Sequence, residues 1–146
     1  MMANELSKRF LLWFQKENPG ARIYRNNRGV AKDQKGNYIR FGIPAPAGKN
    51  DNLKGSDFIA FIPISLFVYG GNLENRLTVQ FYEIKTAKDA LKKGQINFFN
   101  MMTEMGAECF VVNEIDCFKG VSVNIKTKKE TEYKLNDFFV EKWSLK

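Results

Sequence analysis

Residues 55–62 have the sequence GSDFIAFI, in which an acidic side chain, Asp57, directly precedes an almost wholly apolar run. An apolar run of this length after a turn residue is typical of a buried strand. Pro63 follows the run and is expected to end the strand, because proline cannot donate a hydrogen bond to a ladder. The sequence therefore predicts a central strand with a carboxylate at its entry.

Residues 77–85, LTVQFYEIK, predict the next strand, since β-branched and aromatic residues dominate them. Side chains alternate across a strand, so Glu83 and Lys85 point to one face and Ile84 to the other. If the two strands are neighbours, Asp57 lies beside Glu83 at one edge of the sheet. Each motif alone is usually a turn residue or a solvated strand end. The two together, after a glycine-containing entry and before a helix, are more specific.

Two adjacent carboxylates repel each other unless a cation joins them. Mg²⁺ prefers oxygen ligands and keeps several waters, and a metal-bound water is acidic enough to attack a phosphodiester. Lys85 can position or deprotonate such a water, or offset charge in the transition state. These residue types therefore predict metal-dependent phosphodiester hydrolysis.

The composition limits the alternatives. The 146 residues include no histidine, which excludes Ser-His-Asp and Cys-His hydrolases and nucleases that use histidine as base or nucleophile. The net charge of +7 suits a polyanionic partner, although solubility alone explains it equally well. The length predicts one domain, residues 1–146. The sequence shows neither a long apolar run nor a signal peptide, so we expect a cytoplasmic protein with no membrane association.

Periodicity predicts the remaining elements. Apolar residues at helical spacing indicate helices over residues 4–16 and 95–105, the second with Met105 on its apolar side. Short strands are expected over residues 22–25, 38–43 and 108–113. This order predicts an α/β fold with a mixed sheet.

The C-terminal region predicts less regular structure. We expect a hairpin over residues 121–133 and then a short helix through Phe138, Phe139 and Trp143. Those aromatic residues suit either a dimer surface or core packing. Of the two cysteines, Cys109 lies in an apolar run and is expected to be a buried thiol.

Three segments, Gly55-Ser56-Asp57, Glu83-Ile84-Lys85 and Gln95, resemble the signature of the VRR-NUC domain, a virus-type replication and repair nuclease of the PD-(D/E)xK superfamily. The resemblance extends from the first helix to about Asn113, and Ser56 stands where the motif has proline. It implies a restriction-endonuclease-like core, a central mixed β-sheet flanked by helices.

The resemblance also implies roles for individual residues. Asp57 and Glu83 would hold Mg²⁺, for which Mn²⁺ can substitute, with the Ile84 carbonyl as a further ligand. Lys85 would be the catalytic lysine, and Gln95 would help to orient the site. Glu5 on the first helix is the candidate for an extra acidic ligand, with Glu17 as the other possibility.

Basic and polar residues around the motifs are candidates for contacts to DNA phosphates, although each taken singly is more typical of a surface charge. The candidates are Arg25, Asn27, Arg28, Arg40, Lys49, Lys54 and Lys88. The chain resembles the small free-standing members of the family, which are dimers that cut branched DNA. The resemblance therefore implies a homodimer acting on branched DNA, such as Holliday junctions, in a bacterial or phage-infected cell. A sequence-specific restriction-type nuclease and a non-catalytic nucleic-acid-binding module are the alternatives.

Overall fold

The computed structural model describes residues 2–46, 52–86, 89–114 and 138–145. Its elements, in chain order, are α1 (Ala3–Glu17), β1 (Arg22–Arg25), β2 (Gly29–Lys32), β3 (Tyr38–Phe41), β4 (Phe58–Phe67), β5 (Leu73–Lys85), α2 (Lys93–Glu104), β6 (Glu108–Glu114) and β7 (Phe138–Lys142). Neither helix in these ranges combines the length and the hydropathy that a membrane crossing requires.

Within the described residues, five strands form the central sheet in the order β1-β4-β5-β6-β7. Strands β5 and β6 run parallel, and the other neighbours run antiparallel. Strands β2 and β3 pair separately as a two-stranded antiparallel sheet. The described part of the chain is therefore α/β with a mixed sheet, which confirms the fold class expected from the sequence.

Helix α1 covers one face of the central sheet. Its buried residues Leu6, Phe10 and Phe14 recur at intervals of four, which places them on one side of the helix. Phe10 packs against Tyr82 with 4.8 Å between ring centroids, and Phe58 belongs to the same cluster. The large apolar area removed from water at this face stabilises the position of α1 against β4 and β5.

Helix α2 covers the opposite face. Phe98 from the helix meets Phe81 from β5 edge-on, with 5.1 Å between ring centroids, and Ile59 and Val111 belong to this second cluster. Because side chains alternate along a strand, the residues two and four positions beyond Phe81 also lie on the α2 side. The fold thus directs the polar end of β5 toward the beginning of α2.

The hairpin that joins β4 and β5 is longer than the sequence predicts. Pro63 does not end β4, which continues to Phe67, and β5 begins at Leu73 rather than at Leu77. Strand β1 pairs with β4 only as far as Phe61, so among the described strands Pro63 has a neighbour on one side alone. An edge position tolerates the missing N–H of proline, which explains the failed prediction.

Residues 138–142 form strand β7, so the predicted short C-terminal helix is wrong. Antiparallel pairing with β6 decides the conformation, since large aromatic residues also favour strands. Phe138 and Trp143 are buried in the two clusters, on opposite faces, so core packing rather than a dimer surface accounts for them. The predicted hairpin over residues 121–133 lies outside the described residues.

Two smaller expectations have different outcomes. Met105 is exposed, because α2 ends at Glu104 and Gly106 follows with a left-handed φ of 99°. Cys109 is confirmed as a buried thiol, and burial raises its pKa to about 11. Cys117 lies outside the described residues.

Candidate functional site

The ladder between β4 and β5 brings the two sequence motifs together. Phe58 lies opposite Tyr82, so Asp57 and Glu83 occupy the next opposed positions. The Oδ2 atom of Asp57 accepts a hydrogen bond of 2.8 Å from the Ile84 main-chain N–H. In an extended strand the N–H and C=O of one residue point to the same neighbour. The Ile84 carbonyl is therefore directed to the same side of β5 as Asp57.

Lys85 and Gln95 surround the Glu83 carboxyl. The Nζ atom of Lys85 lies 3.3 Å from Glu83 Oε1 and 3.0 Å from Gln95 Oε1. Gln95 Nε2 also donates to Glu83 Oε1, so the glutamine bridges the acid and the amine. The main-chain N–H of Lys92 donates to Gln95 Oε1 at 2.9 Å, which fixes the amide at the first turn of α2.

Burial gives the carboxyl groups unusual electrostatics. The side chains of Glu83 and Lys85 are only 5% and 4% exposed. Burial and the neighbouring Asp57 charge raise the pKa of Glu83 to about 8, and Lys85 opposes this rise. Burial also raises the pKa of Asp57, against the hydrogen bond from Ile84 and the charges of Lys85 and Arg25. The nearby positive charges of the protein are therefore not sufficient to keep the two carboxyl groups at their ordinary pKa values.

The donor atoms match the coordination chemistry of a hard divalent cation. Within the four described ranges, no group of three or more acidic, cysteine or histidine side chains forms a metal cage. Mg²⁺ does not need one, because it is usually held by one or two carboxylates and keeps several waters. Asp57, Glu83 and the Ile84 carbonyl supply such a partial set of oxygen atoms. The set fits Mg²⁺ and also Mn²⁺.

Asp89 is a member of the cluster that the sequence patterns missed. Its Oδ2 atom lies 3.2 Å from Lys85 Nζ, and its charge contributes to the raised pKa of both Asp57 and Glu83. The residue comes from the segment between β5 and α2, which carries no motif. A spacing of four residues from Lys85 gave no signal either, because such spacing brings side chains together on a helix and Lys85 ends β5.

Asn26 holds the chain that leads into Asp57. Its Nδ2 atom donates to the Ile43 carbonyl at 2.7 Å and to the Ser56 carbonyl at 2.9 Å, and its Oδ1 accepts from the Ile43 N–H. Its main-chain N–H donates to the Asp57 carbonyl at 2.8 Å. Asn26 was not among the residues predicted for the site, and these contacts give its side chain a positioning role.

The candidate DNA contacts are distributed unevenly. Arg28 donates to the carbonyls of Pro44 and Leu53, at 2.5 and 2.7 Å, so its guanidinium joins the segment before β2 to the connection between β3 and β4. The Arg25 guanidinium carbon lies 5.3 Å from the centroid of the Phe58 ring, and its charge lowers the pKa of Asp57. Arg25 therefore lies near the site. Four of the described candidates are exposed, namely Arg25, Asn27, Arg40 and Lys54. Lys49 and Lys88 lie outside the described residues.

Glu5 has a different environment from the other acidic candidates. It is exposed on α1 and pairs with Arg9 at 2.7 Å. Helix α1 lies on the face of the sheet opposite to α2, and Glu17 is exposed at its far end. The structure therefore brings together Asp57, Glu83, Ile84, Lys85 and Gln95, and gives Glu5 a partner within its own helix.

No protein-family model matches the chain, and a comparison with curated proteins also finds no match.

Proposed function

We propose that this chain is a magnesium-dependent endonuclease of the VRR-NUC type that hydrolyses DNA phosphodiesters. One observation carries the proposal: Asp57, directly before β4, accepts a hydrogen bond from the Ile84 N–H next to Glu83, and Lys85 and Gln95 contact Glu83. Perturbed carboxyl pKa values beside a buried lysine are typical of functional sites rather than of surface ion pairs.

The fold supports the family hypothesis. The motif residues lie at the ends of adjacent central strands of a mixed sheet, and the described part of the chain places one helix on each face. This arrangement is compatible with a restriction-endonuclease-like core, which we propose for the chain. The proline of the family motif is replaced by Ser56, whose hydroxyl donates to the Phe58 carbonyl at 3.0 Å, so the substitution keeps the entry to β4 ordered.

The cluster assigns a task to each side chain. Asp57, Glu83 and the Ile84 carbonyl would hold Mg²⁺, which supplies Lewis-acid stabilisation of phosphate charge and a more acidic water. The Lys85 ammonium would stabilise the negative charge that develops on the phosphate oxygens. Gln95 keeps Lys85 and Glu83 in fixed positions before the substrate arrives.

The distribution of charge supports DNA binding that does not depend on base sequence. Arg25, Arg40 and Lys54 are exposed cations on loops or short strands, and the chain as a whole carries a net charge of +7. Lysine and arginine on such segments contact phosphates, which position DNA without distinguishing base sequence. This charge pattern disfavours a fixed recognition sequence, and on the resemblance to small free-standing VRR-NUC proteins we propose branched DNA, such as four-way junctions, as the substrate.

The exposed end of the β4–β5 hairpin supports a homodimer. We call residues 62–67 and 73–78 the ribbon. Strand β1 pairs with β4 as far as Phe61, and β6 pairs with β5 from Gln80 onward. The ribbon lies beyond both of these neighbouring strands. Phe67, Leu73 and Leu77 lie on one of its faces and are 84%, 59% and 59% exposed. Apolar residues grouped in this way are typical of protein interfaces, and a symmetric junction requires two matched cuts, which a two-fold dimer provides.

The test is a cleavage assay on four-way, flap and linear DNA with Mg²⁺, Mn²⁺ or EDTA. Asp57→Asn, Glu83→Gln and Lys85→Ala should each reduce cleavage by at least about 100-fold while DNA binding survives. Glu104→Gln and Lys35→Ala remove exposed charges of the same types and should leave cleavage unchanged.

The outcomes separate the candidate functions. Cutting of linear duplex at one fixed sequence indicates a restriction-type nuclease. DNA binding without divalent-ion-dependent cutting indicates a non-catalytic binding module. Cleavage at the wild-type rate by Lys85→Ala or Glu83→Gln would contradict the site assignment.

A further inference from the structure

A cavity of about 370 Å³ opens beside Lys85, on the α2 side of the sheet. The segment after β5, the helix α2, the strand β6 and the chain after β7 all contribute to its wall. Leu91, Ile96 and Trp143 provide the main apolar surfaces, and Asn113 provides an amide. Its volume is near the lower end of small-molecule sites, which span about 300–1,000 Å³, and is far too small for a duplex.

Trp143 forms a rigid wall of this cavity. Its indole Nε1 donates to Asn100 Oδ1 at 2.9 Å, and its main-chain N–H donates to the Cys109 carbonyl at 2.7 Å. The indole packs against Phe99 with 5.8 Å between ring centroids. These contacts fix the ring before any ligand binds, which lowers the entropic cost of stacking a ligand on this side of the cavity.

Asn113 connects the cavity to the proposed catalytic site. It lies opposite Lys85 in the parallel ladder of β5 and β6, so the two backbones are about 4.8 Å apart. The residue is half-buried, and its side-chain amide makes no hydrogen bond to another described residue. An amide offers both a donor and an acceptor, which is the combination that asparagine uses to bind the edge of a nucleobase.

The charges of the cavity wall argue against an anionic ligand. Lys85 and Lys142 are balanced by Asp89 and Glu141. Two of these charges are directly paired, with 3.2 Å between Lys85 Nζ and Asp89 Oδ2. A phosphate would gain no net attraction from such a wall, whereas a neutral, flat heteroaromatic ring can stack on apolar surfaces and hydrogen bond to Asn113.

We propose that this cavity binds one unpaired nucleobase of the DNA, from a nucleotide next to the phosphate at Lys85. The inference rests on the proposed function and extends it, since branch points supply unpaired bases that an intact duplex does not. A base removed from the stack can occupy a pocket beside the reacting phosphate, and stacking on an aromatic side chain offsets part of the cost of removal. The cavity would thereby contribute to selection of branched over linear DNA.

The experiment measures the affinity for fluorescent forked DNA by anisotropy, with Ca²⁺ in place of Mg²⁺. One abasic nucleotide is moved in turn through the positions on both sides of the branch. The wild-type protein should bind intact DNA about tenfold more tightly than DNA with the abasic nucleotide at one position, because base stacking is lost there. Asn113→Ala and the cavity-filling Ala90→Phe should both remove this difference. Asn4→Ala, an exposed asparagine on α1, is the matched control and should retain it.

Binding without any base preference in the wild type, or a preference that persists in both cavity variants, overturns the inference. Absence of DNA binding overturns it as well. If the preference is present and the cavity variants lose it, but no Mg²⁺-dependent cutting occurs, the proposed nuclease function fails and the base-binding site stands.

Discussion

Glu83 combines features that oppose one another in the absence of a metal ion. Its carboxyl group is buried beside Asp57, while its nearest positive charge, Lys85, also pairs with Asp89. Burial and repulsion win over the lysine, so the pKa of Glu83 rises to about 8. Near neutral pH, Glu83 is therefore protonated in the metal-free protein, and a bound metal ion would take the place of this proton.

This proton links stability to pH. Between the ordinary glutamate pKa and about 8, the folded state binds more protons than the unfolded state, so the free energy of unfolding falls as pH rises. Replacing Glu83 with glutamine removes the cost of ionisation. In EDTA, Glu83→Gln should raise Tm by at least about 3 °C at pH 8.5 and by much less at pH 5. The exposed Glu104→Gln serves as control, and equal shifts at the two pH values would contradict the raised pKa.

The affinity for Mg²⁺ should also depend on pH, but it should increase as pH rises. Because Mg²⁺ must displace the proton from Glu83, its apparent Kd should fall by up to about tenfold per pH unit between pH 6 and 8. Calorimetric titration at several pH values measures this slope. Glu83→Gln should bind Mg²⁺ more weakly and with a much flatter pH dependence. A wild-type affinity that is independent of pH would show that Glu83 does not give up a proton to the metal.

At the scale of the elements, the entry to β4 depends on a close approach of two loops. A Cβ atom on Gly55 would lie 2.0 Å from the Ile43 carbonyl oxygen and 2.8 Å from Asn26 Nδ2. The carbonyl belongs to the backbone and cannot turn away as a flexible side chain can. Glycine at position 55 thus lets Asn26 join the loop at Ile43 to the chain before Asp57.

Gly55→Ala should therefore destabilise the protein by about 1–3 kcal/mol and lower DNA cleavage, because the clash moves the chain that carries Asp57. Gly20→Ala is the matched control, since among the described residues a Cβ there meets only Pro63 Cγ, at the ordinary distance of 3.8 Å. Urea unfolding gives the free energies, and Mg²⁺-dependent cleavage gives the functional effect. Similar values for the two alanine variants would refute the proposed clash.

Local periodicity explains why part of the site was accessible from the sequence. Alternation along one strand is enough to place Glu83 and Lys85 on the same face, and the register of a single hairpin adds Asp57. The end of β4 was not predictable, because the tolerance of Pro63 depends on where β1 stops pairing. The conformation of residues 138–142 likewise depends on pairing with β6.

Contacts between loops were the least predictable part of the site. Arg28 was predicted to contact DNA, and no sequence pattern indicated that its guanidinium also meets carbonyls 16 and 25 residues away along the chain. Asn26 bridges comparable separations, to Ile43 and Ser56. Loop closure of this kind follows no repeating pattern, so residue type alone does not distinguish a structural arginine from a phosphate-binding one.

For the whole molecule, the ribbon is the feature that the single chain leaves unexplained. It continues the two central strands beyond both neighbours of the sheet, and an isolated two-stranded hairpin is only marginally stable in water. On the face that α2 covers farther along the sheet, the pairs Phe67–Leu73 and Pro63–Leu77 flank the hydrogen-bonded pair Ser65–Asn75. Packing of this face against the same face of a second copy would bury the exposed apolar side chains and stabilise the ribbon.

The double substitution Phe67→Ser, Leu77→Ser should convert the proposed dimer to a monomer, because it removes apolar area from both halves of a symmetric interface. Light scattering coupled to size-exclusion chromatography measures the mass at micromolar concentration. Leu66→Ser lies on the opposite face of the same ribbon, opposite Glu74, and should remain dimeric. On a four-way junction the monomeric variant should nick one strand without the paired second cut. A wild-type chain that is already monomeric, or a double variant of unchanged mass, would rule out this interface.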